Sequence, residues 1–194
     1  MAREGETNGP FVILTGASGS GKTAIALVIK KEHPEIAVFR ADTIGVPSAE
    51  VMASYGSGHQ PGGAWQRAMT LEWMERIAPV VASGRPVLFE GQMRLAFIEE
   101  ALAAQGIKHA RVVLVECDDE TRTARLTHDR LQPELANESM MGWSRYLRGE
   151  AVEGAEALLP ALGFDQPQRG LFFARLFPGF HSHSMVAGGL EEMS

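Results

Sequence analysis

The sequence is poor in the features that mark several classes of protein. It has one cysteine, Cys117, among 194 residues, so an internal disulfide is excluded and a reducing compartment fits. No apolar run reaches the ~18 residues that a membrane span requires. With 18 Lys and Arg against 24 Asp and Glu, the net charge of −6 argues against a broad nucleic-acid surface. Residues 1–9 are polar and lack the apolar centre of a signal peptide. We therefore expect a flexible leader on a cytoplasmic protein with no membrane or nucleic-acid partner.

The remaining composition is that of an ordinary globular chain. Hydrophobic residues make up 45% and charged residues 22% of the sequence, and the length suits one domain with a full core. We expect that domain over residues 10–180 and a C-terminal tail over 181–194. Short apolar runs alternate with helical patterns, which predicts an α/β fold with a parallel sheet.

One stretch carries a specific signature. Residues 16–23 read GASGSGKT, which fits G-x-x-x-x-G-K-[ST], between an apolar run of strand length and a helical pattern. Glycines and a helix N-terminus offer backbone N–H groups to an anion. Lys22 is expected to reach the β- and γ-phosphates, and the Thr23 hydroxyl to bind Mg²⁺. The predicted ATP-binding loop consists of Gly16, Ala17, Ser18, Gly19, Ser20, Gly21, Lys22 and Thr23. The alternative is a glycine-rich turn that happens to precede Lys-Thr.

Two acidic residues close predicted strands. Ile36–Phe39 is a short apolar strand that leads to Asp42, and residues 86–90 form another that ends at Glu90. Ligands of an open parallel sheet lie beyond the carboxyl ends of its strands. We therefore expect Asp42 to face the phosphates and to orient and deprotonate an acceptor hydroxyl, and Glu90 to join Thr23 in the Mg²⁺ shell. The alternative for Asp42 is a turn cap.

Two other patterns leave alternatives open. A helical pattern over residues 64–83 carries Trp65 and Trp73, which either pack in a core or stack on a planar substrate. After a fourth strand, five arginines fall within 27 residues, at Arg122, Arg125, Arg130, Arg145 and Arg148. They lie either on solvated helix faces, with Arg125 and Asp129 as an i,i+4 pair, or in a cluster that closes over phosphates. We take Arg125 and Arg130 as the candidate catalytic arginines.

The chain resembles the P-loop kinases of the adenylate-kinase-like group over about residues 10–155. That group includes nucleoside monophosphate kinases, gluconate and shikimate kinases, chloramphenicol phosphotransferase and zeta-type toxins. Besides the loop, residues 38–42 (VFRAD) are similar to the stretch that ends in an aspartate base or substrate contact in several of these kinases. Residues 90–94 (EGQMR) resemble the Asp-Gly-Phe-Pro-Arg of nucleotide kinases, which implies that Arg94 binds the acceptor. The resemblance also implies an acceptor-side cap over 44–83 and a lid over 118–150.

The sequence departs from this group at three places. Glu90 replaces the usual aspartate. Arg125 and Arg130 are five residues apart, where the nucleotide-kinase lid commonly has four, and five would not place them on one helix face. The C-terminal residues 156–194 lack the pattern of a closing helix, although Leu171–Phe177 fits a fifth strand.

Together these patterns predict a three-layer fold with about five parallel strands and an ATP- and Mg²⁺-dependent kinase. Its acceptor is a small molecule or a nucleotide. Two alternatives belong to other classes: an NTPase that hydrolyses ATP as a switch, and a nucleotide-binding module without transfer. The sequence does not select between acceptors or indicate an oligomeric state.

Overall fold

The computed structural model describes residues 9–44, 48–55, 63–147 and 185–186. Its strands are β1 (Phe11–Thr15), β2 (Ala37–Arg40), β3 (Val87–Glu90), β4 (Arg111–Glu116) and β5 (Met185–Val186). Its α-helices are α1 (Lys22–Glu32), α2 (Ala49–Ser54), α3 (Ala64–Ala82), α4 (Leu95–Ala104), α5 (Asp119–Ala124) and α6 (Glu138–Leu147). Two 3₁₀ turns span Ala41–Ile44 and Pro133–Leu135, and a π-helical turn spans Arg125–Asp129.

The strands form one sheet in the order β2-β3-β1-β4-β5, and every pair is parallel. The α/β fold expected from the sequence is confirmed. The fifth strand is two residues long, and Met185 lies opposite Val115 of β4. This strand falls within the segment that we expected to be a tail, while the predicted strand over Leu171–Phe177 lies outside the described residues.

The sheet is covered on both faces, which makes the fold three-layered. Alternate residues of each strand point to opposite faces: Ile13 and Phe89 join a core with α3 and α4, whereas Leu14 and Leu88 pack on the α1 side. A parallel sheet buried on both faces needs near-continuous apolar strands. That requirement explains why β1, β3 and β4 read as apolar runs rather than as alternating patterns.

Helix α3 packs into the core, although the sequence placed it in an acceptor-side cap. Trp73 is buried between the rings of Phe39 and Phe89, at centroid distances of 6.1 and 5.6 Å. Its indole N–H donates to the Ala41 carbonyl oxygen at 3.1 Å. Of the two uses that we left open for Trp73, the structure therefore shows core packing. The indole also ties α3 to the turn that follows β2.

The carboxyl ends of the four longer strands meet at one edge of the sheet. Residues 16–21 follow β1 there, and the Ala41–Ile44 turn follows β2. The residues that follow β2 and β3, Ala41 and Gly91, lie very close to each other. A Cβ added to Gly91 would lie only 2.7 Å from the Ala41 Cβ, which is too short for two carbon atoms. Side chains that follow neighbouring strands are thereby brought to one place. None of the described helices has the length and apolarity to cross a bilayer.

Candidate active site

The loop between β1 and α1 has the backbone conformation of an anion cradle. Gly16 and Gly21 have φ angles of 149° and 107°, which side-chain-bearing residues rarely adopt. A Cβ on Gly16 would also lie 2.3 Å from the Val115 carbonyl oxygen. Gly21 precedes α1, and no side chain caps that helix N-terminus. Unpaired N–H groups and the partial positive charge of the helix therefore face the cavity described below.

Lys22 is held inside this loop. Its Nζ donates to the carbonyl oxygens of Gly16 and Ala17 at 2.7 and 2.9 Å, and to Ser20 Oγ at 3.4 Å. Burial lowers the pKa of Lys22 to about 8, and the negative charges of Glu90 and Asp42 oppose that shift. The ammonium is thus held against oxygens of the loop, and a phosphate would supply the anion that favours its charged form.

Thr23 and Glu90 face each other across the base of the site. The Thr23 hydroxyl donates to Glu90 Oε1 at 3.1 Å, and Arg40 Nε donates to the same oxygen at 3.2 Å. Within the described residues, no three His, Cys, Asp or Glu side chains come together in a group that could hold a metal ion. Mg²⁺ typically takes one or two protein oxygens together with water and substrate phosphates. The Thr23 hydroxyl and the buried Glu90 carboxylate fit that ligand set.

The arginines after β4 reach the loop through an irregular helix. After α5 the chain makes the π-helical turn, in which the Arg130 N–H donates to the Arg125 carbonyl oxygen at 2.9 Å. An i→i+5 bond brings residues five apart towards one face. Arg125 and Arg130 consequently line the same cavity, contrary to what their spacing led us to expect of a regular helix. Arg125 does not pair with Asp129; its guanidinium donates to the Gly19 and Ser20 carbonyl oxygens at 3.3 and 3.2 Å.

Arg122 supports the loop from beneath. It is fully buried and donates to the carbonyl oxygens of Ser18 and Cys117 at 3.0 and 3.1 Å, and to Ser144 Oγ at 2.7 Å. Its guanidinium lies 3.6 Å from the Glu116 carboxylate. Arg122 therefore connects the loop, β4 and α6. Of the two positions expected from the sequence, it occupies neither the solvated face of a helix nor a cluster that closes over phosphates.

These elements enclose a cavity of about 780 Å³. It brings together most of the residues expected from the sequence. They are Ser18, Gly19, Ser20, Gly21, Lys22, Thr23, Asp42, Glu90, Arg125 and Arg130. Gly16 and Ala17 lie just behind, where their carbonyl oxygens hold Lys22. The Asp42 side chain is exposed in the turn after β2, opposite the loop across β3.

Arg94 is not among the residues that line this cavity. It precedes α4, is 6% exposed, and its guanidinium lies 4.9 Å from the centre of the Phe97 ring. Direct contact between Arg94 and an acceptor stays a prediction.

Sequence reasoning missed three polar residues of the cavity. Arg40, Gln92 and Asp129 line it, and Gln92 Oε1 accepts from Ser18 Oγ at 3.3 Å. Arg40 and Gln92 stand at the carboxyl ends of β2 and β3, where the rule that singled out Asp42 and Glu90 applies equally. The signal was therefore present for both. The position of Asp129 at the cavity depends on the π-helical turn, which no pattern in the sequence predicts.

Comparison with known proteins relates the chain to others by fold. No protein-family model matches the sequence, and none of the curated proteins compared with it matches either. A gluconokinase from Sinorhizobium meliloti 1021 superposes with a TM-score of 0.50 at 18% identity, over 81% of this chain and 91% of that one. The fold is that of the P-loop kinases.

Two further solved structures are similar at slightly lower scores. A sugar kinase from Janibacter sp. HTCC2649 gives a TM-score of 0.49 at 18% identity, over 81% of this chain and 96% of that one. The APS kinase of Mycobacterium tuberculosis, in complex with AMPPNP and APS, gives 0.48 at 20% identity, over 64% and 72%. At such identities the likeness concerns the fold alone.

Proposed function

We propose that the protein is an ATP-dependent kinase that transfers the γ-phosphoryl group to a hydroxyl of a small acceptor. The observation that carries the proposal is the cavity itself. In that cavity the Asp42 carboxylate lies opposite the loop after β1, whose Lys22 is hydrogen-bonded to the loop backbone, and this arrangement supports the proposal. A loop alone would support nucleotide binding, and the facing carboxylate adds a group suited to an acceptor.

On the donor side, the backbone of residues 18–23 would hold the phosphates, with Lys22 against the β- and γ-oxygens. Thr23 and Glu90 are the residues that would hold Mg²⁺, which when bound neutralises charge on the β- and γ-phosphates. To reach the nucleotide, Lys22 exchanges its carbonyl partners for phosphate oxygens. Since those partners are neutral carbonyl groups, bonds from the ammonium to negatively charged phosphate oxygens are the stronger ones.

On the acceptor side, Asp42 would accept the proton of the attacking hydroxyl. The hydroxyl oxygen forms a bond to the γ-phosphorus, the bond from that phosphorus to the β–γ bridging oxygen breaks, and ADP leaves. The transition state is loose, so an aligned carboxylate contributes mainly by fixing the oxygen in line. Arg125 and Arg130 would balance the charge that develops on the equatorial oxygens.

Acceptor-stimulated ADP release across a panel of sugars, nucleosides, nucleotides and antibiotics tests the proposal. We expect at least one class to stimulate release well above the rate with ATP alone, and Lys22→Ala to abolish the stimulation. ADP release that proceeds equally without any acceptor would indicate an NTPase instead. Tight nucleotide binding with no turnover would indicate a binding module.

A further inference from the structure

Besides Asp42, the end of β2 carries a second charged side chain, Arg40, and no sequence motif gives this residue a role. It stands two residues before Asp42, lines the cavity and is 32% exposed. Its Nε donates to Glu90 Oε1 at 3.2 Å. Glu90 is itself 3% exposed and also accepts from Thr23, so this anchor is fixed from both sides.

The anchored guanidinium has donors left over. An arginine carries five N–H donors, and the bond to Glu90 uses the one on Nε. Among the described residues, nothing is seen to accept from its two terminal nitrogens. A guanidinium held at Nε can present those nitrogens as a fork, and that fork matches a carboxylate or phosphate. Glu90 thus both neutralises Arg40 and sets its direction.

Arg40 and the donor cations follow different strands. Lys22 follows β1, and Arg125 and Arg130 follow its neighbour β4, whereas Arg40 ends β2 on the other side of β3. The Arg40 side chain reaches back to Glu90 Oε1, the oxygen that also accepts from Thr23, so its guanidinium lies beside the Thr23–Glu90 pair. The ATP phosphates already have three cations on the loop side, and Arg40 enters the cavity from the strand end that carries Asp42, which favours the other substrate.

We propose that Arg40 binds an oxyanion of the acceptor, and that the acceptor is a hydroxylated small molecule carrying a carboxylate or phosphate. Arg40 holds the anion while Asp42, on the same strand end, receives the hydroxyl proton. The inference rests on the proposed kinase function and adds the substrate class to it. It also assigns to Arg40 the acceptor-binding role that the motif resemblance gave to Arg94.

The first test uses orthophosphate as the probe on protein saturated with Mg²⁺ and AMPPNP, so that the γ-phosphate position is filled. With AMPPNP kept at a saturating concentration for each variant, calorimetry should show orthophosphate binding to the natural protein and at least tenfold weaker binding to Arg40→Met. Arg40→Lys keeps the charge without the fork and should fall between them. Arg111→Met removes an exposed arginine at the amino end of β4, away from the cavity, and should match the natural protein.

The second test identifies the anion by turnover on matched compounds. Glucose, gluconate and glucose 6-phosphate form one set, and each nucleoside with its 5′-monophosphate forms another. We expect turnover only of members that carry an anion, with the carboxylate and phosphate arms showing which one is preferred. Arg40→Met should raise the acceptor KM tenfold or more and leave kcat within a few-fold.

The outcomes separate the two proposals. Equal orthophosphate binding by the natural protein and Arg40→Met, no orthophosphate binding by either, or turnover of uncharged members alone would overturn the role of Arg40 and leave the kinase standing. Failure to bind AMPPNP would overturn both. A melting temperature measured for each variant ensures that a lost Glu90 partner is not mistaken for a lost ligand contact.

Discussion

The two halves of the cavity are built differently. On the loop side, three cations are tied to the loop: Lys22, Arg122 and Arg125 all donate to its carbonyl oxygens. On the β2 side, Asp42 is exposed and Arg40 is anchored through one nitrogen. The proposed donor half is therefore tied together by hydrogen bonds among its own residues, whereas in the proposed acceptor half the side chains of Asp42 and Arg40 line the cavity from the end of β2. This contrast accords with a nucleotide that binds to a rigid cradle and an acceptor that completes the other half.

The largest effect is expected from Lys22→Ala in the donor half. Loss of a buried charged donor should weaken ATP binding by roughly 10²-fold and abolish turnover. Lys30→Ala, on an exposed position of the same helix, is the matched control and should bind ATP normally. Isothermal titration with AMPPNP and a turnover assay measure both quantities. Transfer at the natural rate by Lys22→Ala would mean that the loop is not the donor site.

Asp42→Asn tests the acceptor half with the donor half left intact. Asparagine keeps the size and polarity of the side chain but removes its charge and basicity. We expect near-normal ATP binding and an acceptor-dependent kcat lower by roughly 10²–10⁴-fold. If Asp42 is only a turn cap, asparagine should serve nearly as well. Activity within a few-fold of the natural protein would then remove the catalytic role.

Arg122→Met tests whether the rigidity of the donor half depends on support from beneath. Removing the buried cation takes a donor from three acceptors and the facing charge from Glu116, and breaking a buried ion pair in this way typically costs roughly 3–5 kcal/mol. In a chain of this length that corresponds to a melting temperature lower by roughly 10 °C. Arg111→Met, on an exposed residue of β4, should change it little. Faster amide exchange across residues 16–21 at a temperature where Arg122→Met is still folded would tie the loss to the loop, whereas unchanged exchange and stability would refute the support.

The smallest effect concerns pH. With a Lys22 pKa of about 8 in the free protein, the lysine is mostly charged at pH 7 and mostly neutral at pH 9. Bound phosphates raise its pKa, so binding takes up a proton, and ATP affinity should fall by roughly tenfold from pH 7 to pH 9. Lys22→Arg stays charged throughout and should lose this dependence. A flat profile for the natural protein would show that burial does not depress the pKa of this lysine.

The same contrast explains what could be predicted from the sequence. The donor half follows from local chemistry, since GASGSGKT between a strand and a helix specifies a backbone shape within eight residues. Asp42 and Glu90 were found because strand ends are readable from apolar runs. The common face of Arg125 and Arg130 was not foreseen, because a π-helical turn has no recognisable pattern and reverses the expectation drawn from their spacing. Arg122 and Arg94 are both buried cations, and burial of a charged side chain depends on tertiary partners that a single sequence does not reveal.

The fate of the γ-phosphate tests the central claim most directly. ATP labelled at that position is incubated with the protein, with and without the acceptor that best stimulates ADP release. We predict that ADP forms mainly when the acceptor is present, and that the label lost from ATP is recovered on the acceptor. Recovery of the label as orthophosphate, at a rate that does not depend on any acceptor, would contradict phosphoryl transfer and identify a hydrolase.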